Sequence, residues 1–500
     1  MQRRALLGAL GTTLAAGCAT IGPGAEEPSP SPAPVPTDSP SAEPPASGSP
    51  TDPAPSDRAW SLVEFDTLPV TASLVDTHAR TDDGGELELR FVRTATADHP
   101  ATVRGVFRNA NPFANTFELR GLPLFRNVPT AWPGGRPRDG EFTYRDELVL
   151  APTDGHELAE TVPDRERADD GRWRLAGEVD GPWFPDTYRL AAGESFAVEY
   201  ALVGRREGTG FPRARYQFEG YDGRSVTVAV WSTDEPGPEG RSRFAGADPP
   251  ALPEAESMAW AHDAAPSTVT YLRPTVERAE LPAKLAFTFV NHSRGTVSGN
   301  PYFWRLWKRV DGRWFHVAPW GWPMPLLMLP PGGTRETSLA AFAGEAIDCD
   351  SRTVGHLGGG RYAYEVGLGR EGTTHAALLD LEAPAATIEP TDGLDVTRDG
   401  DVVRVRWPRH GDEVPAATLE LRRADASDAR LIPEQVMQAR NAALRNTLPL
   451  LEESIEQVTL VTDRNTVSRG ARTSGYEDGT FRFELRGQAY EAAAEFGTGG

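Results

Sequence analysis

Short runs in which apolar and polar residues alternate, each closed by Gly, Pro, Asn or Asp, recur through most of this 500-residue chain. Within 60–231 they include 86–92 (ELELRFV), 101–107 (ATVRGVF), 117–120 (FELR), 196–202 (FAVEYAL) and 225–231 (SVTVAVW). Side chains alternate faces along a strand, so a period of two buries one face and wets the other. Turn residues between such runs are the pattern of a β-sandwich. No run in this interval keeps a 3.6-residue period for three turns. Hydrophobic residues make up 39% of the chain, and 50 glycines bring the share to the ordinary globular range. The chain can therefore bury cores, and wholesale disorder is excluded.

The expected organisation follows from where the alternation stops. A β-sandwich is predicted over 59–232. Pro, Gly and acids return in 233–266, read as a linker with one short ordered stretch near Met258 to His262. A second sandwich is predicted over 267–384, with strands at 284–291, 302–309 and 313–317. Asp311-Gly312 between the last two is the strongest short-range hairpin signal. Residues 386–496 read as a small α+β domain. Strands are expected at 401–407, 417–423, 458–462 and 480–486. A helix is expected to open at Pro433, with Glu434 in its first turn, and to run to Asn446, followed by a second over 450–457. The fold class is thus mainly β: tandem sandwiches, then a small α+β domain, behind a disordered N-terminal tether.

The first 18 residues read as an address. Arg3 and Arg4 form a charged start, and 6–16 is a short apolar stretch, too brief for about 30 Å of hydrocarbon. A buried N-terminal helix is the bland alternative. Residues 14–18 (LAAGC) resemble the lipobox of lipoproteins, with Ala15 where leucine is commonest. That resemblance implies cleavage before Cys18 and a lipid on its thiol. Arg3-Arg4-Ala5-Leu6-Leu7 resembles the twin-arginine export motif, which implies export of a folded chain. Residues 19–58 hold almost nothing large and apolar, and twelve of the 44 prolines lie within 23–55. Such a chain cannot offset its ordering entropy. At about 3.1 Å per residue it reaches up to roughly 120 Å when fully extended. A tether needs one fixed end, which fits a lipidated Cys18.

Charge narrows the partners. Net charge is −21, and 49 of the 51 basic residues are Arg, the two lysines being Lys284 and Lys308. Nucleic acid and anionic lipid both call for a basic footprint, so neither is expected as the main partner. Acidity, arginine bias and the export signal together resemble a halophilic archaeal surface lipoprotein; an acidic protein of any high-GC organism is the alternative. The expected location is extracytoplasmic, on the outer face of the cell membrane.

Within 267–384 the order of an Asn-turn (291–293), an aromatic alternating strand (303–308), an Asp-Gly hairpin followed by Trp314, a Leu-Pro-Pro-Gly turn (329–332) and a Gly-x-Tyr strand (360–362) resembles a bacterial immunoglobulin-like domain of envelope lipoproteins. The resemblance implies a sandwich and says little of function. Residues 190–195 followed by 215–218 echo the late turn and tyrosine strand of this domain, so the first sandwich reads as a divergent copy.

Few residues offer chemistry. The nine histidines form no His-Glu-x-x-His helix, and no nucleophile elbow, phosphate loop or dinucleotide fingerprint is present. No catalytic residue, metal ligand or cofactor is assigned. Among 72 acidic residues no sequence argument selects a glycosidase pair. Asp348-Cys349-Asp350 and the acids of 392–401 match no calcium-loop spacing. Cys349 is the one cysteine of the mature body, read as incidental. Asn291-His292-Ser293 is the single N-glycosylation sequon, so Asn291 is a candidate glycan site. Five of the twelve tryptophans fall between Tyr302 and Trp322. Trp320, Trp322, Met324 and Leu327 lie in a proline-punctuated loop that can be neither regular strand nor helix. The loop is read either as a contact with a neighbouring domain or as an exposed patch for an envelope protein, glycan or lipid. The functional expectation is a non-catalytic, lipid-anchored surface protein with a binding or envelope-structural role. The alternative is an extracytoplasmic hydrolase with an unidentified carboxylate pair.

Overall fold

A computed structural model describes residues 61–134, 147–178, 181–208, 212–220, 224–349, 351–407, 416–474 and 480–496. Arg3, Arg4, Cys18 and the tether lie outside the described residues. The chain is mainly β, with paired sheets in its first two parts.

In the first sandwich the alternation translates directly into burial. Strand Gly85–Arg93 turns Leu87, Leu89 and Phe91 inward and leaves Glu88 and Arg90 wet. Its sheet continues through Thr102–Asn109 to Ser195–Gly204, which also pairs with Leu148–Pro152. The facing four-stranded sheet runs Leu62–Glu64, Val70–Leu74, Ser225–Ser232, Ala214–Glu219. On the buried face of the larger sheet Phe107 stacks at 5.2 Å on Phe196, its register partner, and meets Phe117 of the separate ribbon strand Asn115–Glu118 edge-on at 5.1 Å.

The second sandwich pairs a sheet of Ser257–Trp260, Thr373–Glu382, Gly360–Gly369, Val297–Val310 and Arg313–Ala318 with a sheet of Thr270–Pro274, Ala283–Asn291, Thr334–Ala341 and Arg352–Val354. The Asp-Gly hairpin forms as read: Asp311 and Gly312 take φ of 47° and 77°, the two positive values that a tight I′ connection requires.

Segment 233–266 is more ordered than a linker. Ser257–Trp260 joins the second sandwich as a parallel edge strand. Phe244, Leu252 and Trp260 bury against Trp307, Trp314 and Leu378 on the outside of its larger sheet. The Trp314 indole donates to Pro250 O at 2.9 Å. Proline and acid content hid a segment whose few large apolar residues cover a neighbour.

The C-terminal part is one seven-stranded sheet with short helices. Strands Val402–Arg406, Ala416–Arg423, Gln457–Asp463 and Thr480–Leu485 lie where alternation placed them. The helical expectation needs correction. Helix Pro433–Val436 is a single turn, Ala439–Asn441 is 3-10, and Ala442–Arg445 is another single turn. Gln438 takes ψ of 145°, out of the helical region, and its side chain donates to Gly355 O of the second sandwich at 3.2 Å. Gln435 likewise donates to His316 O at 3.0 Å. Docking on the sandwich overrides helix continuity. In place of a helix over 450–457 the chain makes a 3-10 turn at Leu448–Leu450, and the longest described helix is Arg464–Ser474.

This docking is deep. Ile432 enters the core of the second sandwich. Beside it Lys308 pairs with Glu434, both buried. The same Glu434 oxygen accepts Gly358 N at 3.1 Å, and Gly358 O accepts from Lys308 Nζ at 3.3 Å and from the Tyr362 hydroxyl at 2.6 Å. A Cβ on Gly358 would fall 2.5 Å from Ala386 N, so only glycine lets the segments close.

Candidate functional site

The aromatic region divides into two fates. Trp304, Trp307 and Trp314 are buried, as strand positions facing a core or the 244–260 cover. The loop after Ala318 stays outside. Trp320 is 40% exposed, Leu326 72% and Met324 82%. Leu327 and Trp322 are half-buried. Trp322 packs edge-on to Phe303 at 4.4 Å with the Arg305 guanidinium 5.7 Å above it. Trp320 lies under Arg440 of the C-terminal part at 4.3 Å and against His316. The loop is pinned rather than loose: Asn300 donates to Pro323 O at 2.7 Å, and, against the expectation that no regular strand forms here, Leu327–Leu329 is a strand that pairs with Val297–Gly299. The reading as a contact with a neighbouring domain holds for Trp320. Trp320 meets a neighbouring part, while Met324, Leu326, Met328 and Tyr302 face outward. The arrangement can bury apolar surface against a partner, with arginines beside it; Met, Tyr and Arg are among the residue types enriched at interfaces.

Asn291 is not the glycan site that its sequon suggested. Its side chain has no exposure. The amide nitrogen donates to Gly295 O (2.9 Å), Leu329 O (2.9 Å) and Pro330 O (3.0 Å). A sugar on that nitrogen has no room in the folded chain, and Ser293 instead donates to the same side chain's oxygen at 2.6 Å. The first sandwich repeats this corner. Asn109 is equally buried and donates to Phe113 O, Leu190 O and Ala191 O at 2.9, 3.2 and 3.0 Å. In both copies the Asn carbonyl accepts from a glycine with φ near +72°, Gly193 or Gly332. The turn at 190–195 is thus the structural counterpart of that at 329–333, which strengthens the repeat seen in the sequence.

That second turn also holds the sandwiches together. Ser73 donates to Pro331 O at 2.8 Å and Arg215 to Gly332 O at 2.9 Å. A Cβ on Gly332 would sit 2.4 Å from the Ala229 Cβ, so the backbone approaches as closely as glycine permits. Beside this contact lies a cleft of about 740 Å³ between the two four-stranded sheets. One wall carries Arg213, Arg215 and Gln217; the other carries Tyr271, Arg273, Thr288 and Glu336. Arg273, Thr288 and Glu336 form a cross-strand row, because each is the register partner of the next. At the back His292 stacks on Trp231 at 4.9 Å, its Nδ1 held by Pro236 O. Sequence reading missed this cleft, since its residues come from five strands and a loop with no local motif.

Buried histidines serve packing. His156, His316 and His375 are each pushed down to about 4, burial being the largest cause. His156 bonds the Tyr200 hydroxyl at 3.1 Å, and neither ring nitrogen of His375 has a partner among the described residues. Cys349 is exposed, and its thiol is lowered by the Thr353 hydroxyl 3.6 Å away. Among the described residues no group of three or more His, Cys, Asp or Glu could hold a metal ion.

No protein-family model matches the chain, and no curated protein matches it. Among solved structures it is similar to a polysaccharide lyase, at 11% identity over 61% of this chain and 34% of that one, with a TM-score of 0.13. It is also similar to the FN1-FN3 domains of chicken CNTN1, at 11% identity over 60% and 82%, with a TM-score of 0.12. A third likeness is to E. coli alpha-2-macroglobulin in its native conformation, at 10% identity over 73% and 26%, with a TM-score of 0.13. The chain spans about a third of the lyase's length. At such scores these likenesses carry no argument about activity.

Proposed function

We propose that this chain is a non-catalytic surface protein, held to the outer face of the cell membrane by a lipid on Cys18. Its sandwiches then present the loop around Met324 to a protein of the cell envelope. The observation that carries the binding role is the outward Met324, Leu326 and Met328 on a loop fixed by strand pairing and by Asn300. A rigid apolar protrusion loses little entropy on docking, and a soluble surface gains nothing from keeping it bare. The acidity of the chain speaks for a protein partner over an anionic lipid surface. The anchor rests on the LAAGC and Arg3-Arg4 patterns.

Mass spectrometry of the protein from native membranes tests the anchor: a chain beginning at Cys18 with added lipid mass is expected, and an unmodified thiol there overturns it. Blue-native electrophoresis of mildly solubilised envelopes tests the loop. The wild type is expected in a complex that Met324→Asp with Leu326→Asp dissolves without loss of the folded chain; an unchanged band refutes the loop as docking surface.

A further inference from the structure

We infer that the second sandwich binds a chloride ion at one end of its core, between Arg335 and Arg352. A cavity of about 10 Å³ lies there, room for one water-sized body. A bulge in one strand opens it. Strand Val297–Val310 pairs Gly299 with Leu368 and then Trp304 with Val366, so residues 300–303 stand opposite Gly367 alone. A Cβ on Gly367 would fall 2.4 Å from the Phe303 Cβ, so the bulge closes on glycine. Asn300, Pro301 and Phe303 of the bulge line the cavity from one sheet; Arg335, Thr337 and Arg352 line it from the other. In so small a space both arginines border a single point.

Charge and hydrogen bonding both call for an anion. No carboxylate lines the cavity. The Arg335 side chain makes no hydrogen bond or ion pair among the described residues, and its Nε is buried without a partner. Arg352 donates to the Tyr364 hydroxyl and, at 2.7 Å, to Pro301 O, and it too has no ion pair among the described residues. Both side chains are half-buried. Glu336 does not neutralise them, because it lies on the opposite face of its strand and lines the cleft between the sandwiches. A positive charge drawn out of water without a counter-charge is costly, and two at one point more so. The Tyr364 hydroxyl donates to Thr337 Oγ1 at 3.3 Å, which leaves the Thr337 proton free to donate. The Asn300 amide is taken up by Pro323 O and the Tyr302 N–H. A water here would need acceptors for its own protons and would meet Leu272, Phe289 and Val366. A halide only accepts, and it brings the charge that the arginines lack. Sulfate, phosphate and carboxylates are too large for the space. No residue of the Met324 loop takes part, so the inference stands apart from the loop's role.

Chloride NMR of the full chain tests it, since the line broadens when the ion binds a slowly tumbling protein. Saturable broadening that bromide displaces is expected, and Arg335→Gln should remove at least half of it. Arg90→Gln, on the wet face of the first sandwich, should leave it unchanged. The melting temperature of the wild type should rise saturably in sodium chloride above its value in sodium gluconate of equal ionic strength, because a ligand of the folded state stabilises it and general screening is matched. Arg335→Gln should lose that difference. Broadening no greater for the wild type than for Arg335→Gln, or an equal loss with Arg90→Gln, overturns the assignment. Identical wild-type melting in the two salts overturns it as well, and that comparison decides alone if Arg335→Gln fails to fold.

Discussion

Lys308 and Glu434 make the contact between the second sandwich and the C-terminal part quantitatively testable. Both are buried, and their remaining partners are backbone groups of Gly358. Lys308→Met leaves Glu434 with one donor, Gly358 N, for a whole buried charge. Glu434→Leu leaves Lys308 with Gly358 O and the Tyr362 ring 5.3 Å away. Removing one partner of a buried ion pair typically costs about 3–5 kcal/mol, because the other charge stays desolvated and unmatched. Removing both abolishes that penalty and puts apolar volume in its place. The double variant is therefore expected within about 2 kcal/mol of the wild type, well above either single variant. Urea unfolding followed by tryptophan fluorescence reads it out, since Trp304, Trp307 and Trp314 report the second sandwich. Additive losses would refute the reasoning, as they would mean that the two charges do not neutralise each other. Lys308→Arg belongs in the series. This chain otherwise uses arginine almost exclusively, yet two acceptors cannot satisfy five donors here, and about 1–3 kcal/mol should be lost.

Stability should also fall on acidification. His156, His316 and His375 titrate near 4 when folded and near 6.5 when unfolded, so between those values the unfolded chain binds more protons. Their contribution is complete above pH 6.5 and lost as pH falls to 4, up to about 3 kcal/mol each. Glu365, raised by burial, acts in the opposite sense. Urea midpoints at pH 7, 5.5 and 4.5 check the fall, and a flat profile refutes it. Asn109→Ala and Asn291→Ala should each lose three amide hydrogen bonds, about 3 kcal/mol, and by similar amounts if the corners are equivalent; urea midpoints decide. Peptide mapping should find Asn291 unmodified. Met324→Asp with Leu326→Asp, both outside every core, should stay within about 0.5 kcal/mol of the wild type by thermal melting.

Alternation alone determined the strands, because the period of two follows from backbone geometry wherever one face is buried. It placed 86–92, 284–291 and 417–423, and Asp311-Gly312 named its own turn. Composition likewise marked Trp320 to Leu326 as irregular and apolar, but it did not foresee that Leu327 starts a short strand held by Val297–Gly299. Tertiary structure decided what lies far apart in the chain. The helix read over 433–446 breaks at Gln438, whose ψ of 145° leaves the helical region while its side chain reaches Gly355 O of the second sandwich. The few apolar residues of 244–260 find a sheet to cover. Asn291 looks like a surface sequon until the turn at 329–333 closes over it and takes all its donors. The cleft between the sandwiches exists only where two sheets face each other. Local periodicity carries strand and turn, but burial of a polar group, its partners and its access depend on which distant backbone arrives beside it.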